Sequence, residues 1–173
     1  MKRFFLQALA LFCMAGSVCA QPPLRPLPLD KANVLPLSLD DAFQFRKTII
    51  KTYDPRDERE VGQHPSIQFE RQRLIFGAVN TYDRQQRYGN YYTFFWRTDR
   101  PANLTVRFEY RQEKLGSHVQ AREIHYDNAR GSQKTEFAII GDDYIQDGKV
   151  TAWRAVIIEN GKIVALNQSF LWN

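Results

Sequence analysis

The sequence predicts an all-β fold of seven short antiparallel strands. After Pro65, turn signals recur about every eight to twelve residues, which is the spacing of strands in sandwiches and barrels. Leu104, Val106 and Phe108 alternate with polar neighbours, so that stretch has one apolar and one polar face. Asn160-Gly161 favours a two-residue hairpin turn, because both residues readily take positive φ.

The seven predicted strands account for nearly all of the chain after Pro65. They cover residues 67 to 79, 90 to 98, 103 to 112, 118 to 127, 133 to 140, 149 to 159 and 162 to 172. Along the fourth predicted strand the apolar side chains switch from odd-numbered positions, such as Ala121, to even-numbered positions, such as Ile124. This change predicts a β-bulge at Arg122-Glu123.

Strand number and spacing fit an immunoglobulin-like or fibronectin-III-like sandwich over residues 67 to 173. Tyr144, a few residues before the strand at Val150, is placed to make the tyrosine-corner contact that such sandwiches use. The Cys-Trp-Cys spacing of antibody domains is absent, so the resemblance is one of architecture.

The first twenty residues read as a secretory signal peptide. Met1-Lys2-Arg3 is a basic start, Phe4 to Met14 is apolar apart from Gln7, and small residues lead up to Ala20. The apolar run is shorter than the roughly 20 residues needed to span a bilayer. We therefore expect cleavage after Ala20, no membrane span, and a periplasmic or secreted product.

Cysteine and charge narrow the function classes further. Cys13 and Cys19 lie within the predicted signal peptide, so the cleaved protein would have no disulfide and no cysteine-ligated metal. Loss of Lys2 and Arg3 lowers the formal net charge from +5 to +3. For an exported, mildly basic protein we expect no nucleic-acid partner.

Residues 21 to 66 precede the predicted sandwich in two segments. Residues 21 to 37 contain five prolines and read as an extended linker, a tether or a docking arm. In the segment 38 to 66, Ser38-Leu39-Asp40-Asp41 resembles a capping box and predicts a short helix over residues 38 to 53. Phe43 to Tyr53 also alternates as a strand, so both alternatives stand. Residues 54 to 60 form a charged loop.

Catalytic signatures are missing from the sequence. It has no Gly-x-Ser-x-Gly, no His-Glu-x-x-His and no phosphate loop, which predicts a non-catalytic protein without a cofactor. The histidines His64, His118 and His125 read as surface residues. About 20 Å of strand would separate His118 from His125, too far for one metal ion.

Acidic residues between two predicted strands suggest weaker alternatives. Asp142, Asp143 and Asp147 could offer oxygen ligands to calcium, although Asp147-Gly148 is explained as a turn. Asp142, Asp143 or His125 could also serve a small carbohydrate-active hydrolase, which is the rival class.

The candidate binding site is the loop from residue 82 to 91. Tyrosine and arginine give large contact areas with polar tips, a mixture favoured in binding patches. The site comprises Tyr82, Arg84, Arg87, Tyr88 and Tyr91. We expect a binding or assembly module of the cell envelope, with an envelope protein or polysaccharide as partner. A subunit that adds an edge strand to its partner is a third alternative.

Overall fold

The computed structural model describes residues 27–28, 35–54 and 65–172. The predicted signal peptide, most of the Pro-rich linker, the charged loop after Asp54 and His64 lie outside these residues. The described chain is mostly β, and its strands form one antiparallel sheet. In chain order, the elements are β1 (Leu27–Pro28), β2 (Phe43–Tyr53), α1 (Pro65–Leu74), α2 (Thr81–Gln85), β3 (Gly89–Gln112), β4 (Val119–Ile140), α3 (Asp142–Asp147), β5 (Val150–Glu159) and β6 (Lys162–Gln168).

Strand β3 is the centre of the sheet. Its first half pairs with β2 on one side and with the second half of β4 on the other. Its second half pairs with the first half of β4 and with β5, and β6 follows β5. Because β2 and β5 occupy successive parts of β3, the sheet curls into a half-barrel.

The curl is centred on the middle of β3 and β4. Their register shifts between Thr98 and Leu104. Opposite this point, Asn128 and Gly131 have positive φ values of 50° and 69°. The predicted strands 90 to 98 and 103 to 112 are therefore one bent strand, as are 118 to 127 and 133 to 140. The antiparallel β prediction is confirmed, but a curled half-barrel replaces a clear seven-stranded sandwich, since the β3–β4 ladder continues on both sides of the bend.

An aromatic core fills the concave face of the sheet. The Phe94 ring, on the first half of β3, lies 5.7 Å from Phe108 on the second half and 5.5 Å from Trp153 on β5. All three side chains are buried. Other members of the core include Phe43, Tyr92, Trp96, Leu104, Val106, Tyr110, Phe137, Ile139, Ala155 and Ile157.

Two assignments before β3 are corrected. For residues 38 to 53 the helix alternative is wrong and the strand alternative from Phe43 to Tyr53 is confirmed, because β2 has these bounds and pairs with β3 from Thr98 to Gly89. Here sheet pairing overrides the local capping signal. The predicted strand over 67 to 79 is also wrong, since its first part belongs to helix α1. Pro65 suits the first turn of a helix, where no N–H donor is required.

The predicted bulge at Arg122-Glu123 is absent. Strand β4 pairs with β3 without interruption from Val119 to Tyr126. Arg122 lies opposite Phe108 and so faces the core side, while Ala121 faces the other side and pairs with β1. The apolar pattern of the sequence shifts here because Arg122, a polar residue, occupies a position on the core side of the sheet.

At the C-terminal end the hairpin prediction is confirmed. Asn160 and Gly161 have φ values of 49° and 74°, and β5 pairs with β6 across them. Strand β6 ends earlier than expected, at Gln168, and residues 170 to 172 form a 3₁₀ turn.

Described parts of the Pro-rich segment contact both edges of the β4–β3–β5–β6 portion of the sheet. Leu27 and Pro28 pair with β4. At the other edge, Leu37 forms a parallel bridge with Ile163, and the Ser38 N–H donates to the Ile163 carbonyl at 2.8 Å.

Candidate binding site

Three helices lie at one end of the sheet, which we call the helical end. Tyr53, Gly89 and Ile140 are neighbours there in the β2–β3–β4 ladders, and Gln112 pairs with Val150. Helices α1 and α2 connect β2 to β3, and α3 connects β4 to β5. The turn at Asn160-Gly161 and the bends of β3 and β4 lie at the opposite end.

Helix α2 is fixed at its start by a capping box. The Asn80 side chain accepts a hydrogen bond from the Asp83 N–H at 2.8 Å. The Asp83 carboxylate accepts in turn from the N–H groups of Val79 and Asn80. These bonds satisfy N–H groups that an uncapped helix leaves without partners. Tyr82 and Arg84 of this helix are exposed.

The five residues of the predicted binding loop do not form one patch. Tyr82, Arg84 and Arg87 are exposed, whereas Tyr88 is half-buried with its ring 5.0 Å from that of Tyr53. The Tyr91 hydroxyl donates to the Arg87 carbonyl at 2.5 Å. Burial raises the pKa of Tyr91, and the positive charge of Arg87 opposes this rise. Tyr88 thus belongs to an inner site and the arginines to an outer surface.

Tyr88 lines a cavity of about 240 Å³ at the helical end. Its other lining residues are Asp54, Glu113, Lys114, Tyr144, Ile145 and Gly148. The cavity combines carboxylates, an ammonium group and aromatic rings. No local pattern in the sequence pointed to Asp54, Glu113 and Lys114, since the chain brings them together only through the pairing of β2, β3 and β5.

Tyr144 anchors the wall of this cavity. Its hydroxyl donates to the Asp54 carboxylate at 2.6 Å, and both residues are buried. The position suits the predicted tyrosine corner, but this bond reaches a side chain at the end of β2, ninety positions away. It ties α3 to the strand that precedes α1.

Buried polar side chains hold α3 in place. The Gln112 amide donates to the carbonyls of Asp143 and Gly148, each at 2.9 Å. The Arg122 guanidinium donates to the Asp143 carboxylate at 2.5 Å and to the Ala138 carbonyl at 2.8 Å. This wall of the cavity is therefore rigidly attached to the sheet.

The weak metal and hydrolase candidates are not brought together. Asp143 is paired with Arg122, and Asp142 accepts from the Gln86 amide at 3.1 Å. His125 instead lies 2.8 Å from the Thr105 hydroxyl on the second half of β3. Within residues 27–28, 35–54 and 65–172, no three His, Cys, Asp or Glu side chains form a group able to hold a metal ion.

The opposite end has a different chemistry. Arg100 donates to both oxygens of Glu159, at 2.5 and 2.6 Å, and to Asp40 at 3.3 Å. The pKa of Asp40 is lowered by the hydrogen bond from the Ala42 N–H and, less strongly, by Arg100. Arg100, Glu159 and Asp40 are therefore paired with one another at this end.

Comparisons with protein-family models, curated proteins and solved structures find no match for this chain. No helix in the described part of the chain is both long and apolar enough to cross a membrane.

Proposed function

We propose that the protein is an exported, non-catalytic β-sandwich module that binds a polysaccharide or protein of the cell envelope at its helical end. The observation that carries the proposal is the contrast between the two ends of the sheet. Most of the large apolar side chains that are exposed lie at the helical end, whereas at the opposite end Leu37 and Leu39 are exposed beside the ion pairs of Arg100. At the helical end the exposed residues are Phe69, Phe76, Val79, Tyr82, Ile145, Phe170 and Leu171. Clustered exposed apolar side chains are typical of binding surfaces.

The sandwich assignment rests on the two halves of β3. In this proposal, β2 and the halves of β3 and β4 beside it form one layer, and the remaining halves with β5 and β6 form the other. The contacts of Phe94 with Phe108 and Trp153 support it, because they join the proposed layers through their inner faces. This arrangement corresponds to a fibronectin-III-like sandwich.

The cavity lined by Tyr88 is the proposed ligand site. Its volume of about 240 Å³ lies below the range of about 300–1,000 Å³ that holds drug-sized ligands. A single sugar unit of a longer chain suits this size. Tyrosine rings can stack on a sugar face, while Glu113 and Lys114 offer hydrogen bonds to its hydroxyls. We therefore favour an envelope polysaccharide as the ligand.

The hydrolase alternative is tested by measuring whether the protein degrades a glycan that it binds. Its residues Asp142, Asp143 and His125 engage different partners, which favours binding without catalysis. If the protein degraded a glycan that it binds, and alanine at these three positions abolished the degradation, the non-catalytic proposal would be wrong.

A second candidate function is assembly through an edge strand. The second half of β4 pairs with β3 on one side, and no strand of the described chain pairs with its other side. Such an edge can accept a partner strand. A molar mass that rises with protein concentration would support self-assembly of this kind.

Export is tested by the N terminus of the protein. Mass spectrometry of the protein from the envelope fraction should give a chain that starts at Gln21. A cytoplasmic protein that retains Met1 would contradict the envelope location.

Binding is tested on an array of envelope polysaccharides and other glycans. The variants Glu113→Ala and Lys114→Ala remove polar groups from the cavity, and Tyr88→Ala removes its aromatic wall. Arg130→Ala and Lys162→Ala change exposed residues at the opposite end as matched controls. Glycan binding that the cavity variants lose and the controls retain supports the proposal. Binding unaffected by all three cavity variants contradicts it.

A further inference from the structure

Two large aromatic side chains, Phe69 of α1 and Phe76 in the turn after it, face solvent. With Gln72 and Arg73 of α1 they line a shallow surface depression of about 330 Å³. In a globular domain large aromatic side chains normally pack on the core. Here the side chains of Phe69 and Phe76 are 61% and 83% exposed, and that of Val79 is 88% exposed. These three apolar side chains thus lack the burial that residues of their type normally have.

Basic side chains flank this apolar surface. Arg73 lines the same depression, and Arg84 and Arg87 are exposed on the next helix and the turn that follows it. Asp83, the acidic residue of α2, already accepts hydrogen bonds from the Val79 and Asn80 N–H groups. Exposed aromatic and aliphatic side chains beside arginines are the combination that binds at a membrane surface.

From these observations we propose that the α1–α2 surface docks onto a membrane that contains anionic phospholipid. We define this surface as Phe69, Phe76, Val79, Arg73, Arg84 and Arg87. Phe76 and Val79 enter the boundary between headgroups and acyl chains, and the arginines bind the lipid phosphates. The attachment is peripheral, because the chain lies against the bilayer without crossing it. Phe69, Phe76 and Val79 are also among the exposed residues that support the proposed function, but none of the six residues lines the Tyr88 cavity. Membrane docking therefore does not depend on a glycan ligand.

Charge complementarity favours lipid over a neutral glycan as the ligand of this surface. Each basic side chain near an anionic bilayer strengthens attachment by a factor of about five, and replacing two arginines should weaken it about thirtyfold. The apolar side chains supply a component that salt does not screen. Membrane attachment should therefore require both sets of residues.

The test is co-sedimentation of the exported form of the protein with vesicles. Vesicles of phosphatidylglycerol and phosphatidylcholine should pellet the parent protein, and vesicles of phosphatidylcholine alone should pellet much less. Arg84→Gln with Arg87→Gln should weaken binding about thirtyfold. Phe76→Ser with Val79→Ser should weaken it at least tenfold, from the loss of two apolar side chains. These residues are exposed, so the variants should keep the parent's denaturation curve.

Matched changes elsewhere provide the controls. Leu39→Ser replaces another exposed apolar residue, 64% exposed, and Arg130→Gln with Lys162→Gln removes two exposed charges at the opposite end. Both controls should bind vesicles like the parent. Equal binding to the two vesicle types, no binding to either, or losses in the controls as large as in the α1–α2 variants would overturn the proposal. Glycan binding measured on the same samples tests the cavity separately.

Discussion

The rings of Phe94 and Phe108 lie 5.7 Å apart, although fourteen positions of one strand separate the two residues. A straight strand would place them about 46 Å apart. The contact is possible because β3 bends between Thr98 and Leu104, where its register with β4 shifts. A single strand thus supplies two facing walls of the core.

The first prediction concerns this contact. Phe108→Ala should lower the free energy of unfolding by about 3–5 kcal/mol, because the ring is fully buried and its loss leaves a cavity. Urea denaturation measures the change. The control Phe170→Ala removes an equally large ring that is 92% exposed, and it should alter stability by less than about 0.5 kcal/mol. Similar losses in both variants would mean that the core is not centred on the two halves of β3.

The second prediction concerns Gly89, where β3 begins. Its φ of 151° is unfavourable for other residues, and a Cβ atom there would lie 2.1 Å from the Ile139 carbonyl oxygen. Since that oxygen belongs to the paired β4 backbone, it cannot move without breaking the ladder. Gly89→Ala should therefore cost about 3 kcal/mol of unfolding free energy.

Gly77 provides the matched comparison for Gly89. It also has a positive φ, 83°, but no atom lies within 4 Å of an added Cβ. Gly77→Ala should cost only the backbone strain, about 1–2 kcal/mol. Equal denaturation midpoints for the two variants would show that the close contact at Gly89 does not limit stability.

The third prediction concerns the bond between Tyr144 and Asp54. Tyr144→Phe keeps the ring but removes a donor from a buried carboxylate, which should cost about 1.5–3 kcal/mol. In a double-mutant cycle with Asp54→Asn, the two losses should be less than additive, because the first change has already removed the bond. Denaturation curves of the four proteins measure the coupling. Strictly additive losses would contradict a direct interaction.

Local patterns predicted the β-rich fold because alternation and turn chemistry are local properties. The Asn160-Gly161 hairpin and the alternating stretch around Phe108 followed from them directly. Residues Asp99 to Pro101 could end one strand or bend a longer one. The outcome depends on how β3 pairs with strands that are distant in sequence, and local patterns do not carry this information. The sequence left helix and strand both open for residues 38 to 53 for the same reason, since pairing with β3 decides the structure of Phe43 to Tyr53.

The residues of the candidate site could be inferred from the sequence only in part. The aromatic and basic composition of residues 82 to 91 pointed to the helical end, but sequence could not separate inward Tyr88 from outward Arg84. Asp54 and Glu113 are brought to Tyr88 by strand pairing, which leaves no local signal. Pro65, which suits the first turn of a helix, was a local signal for α1 that the strand prediction over 67 to 79 did not use.

The last prediction concerns stability at alkaline pH. Burial raises the pKa of the Tyr92 hydroxyl well above its ordinary value of about 10, and burial also raises the pKa of Tyr110, with the charge of Arg122 opposing the rise. Above about pH 10 the unfolded chain therefore loses these protons more readily than the folded protein. The free energy of unfolding should fall as pH rises through this range, because the folded state then binds more protons than the unfolded state.

Urea denaturation between about pH 8 and pH 11 measures the slope of the unfolding free energy against pH. Tyr92→Phe keeps the ring and removes the titrating group, so it should flatten the slope, and a slope equal to the parent's would contradict the burial of that hydroxyl as the cause.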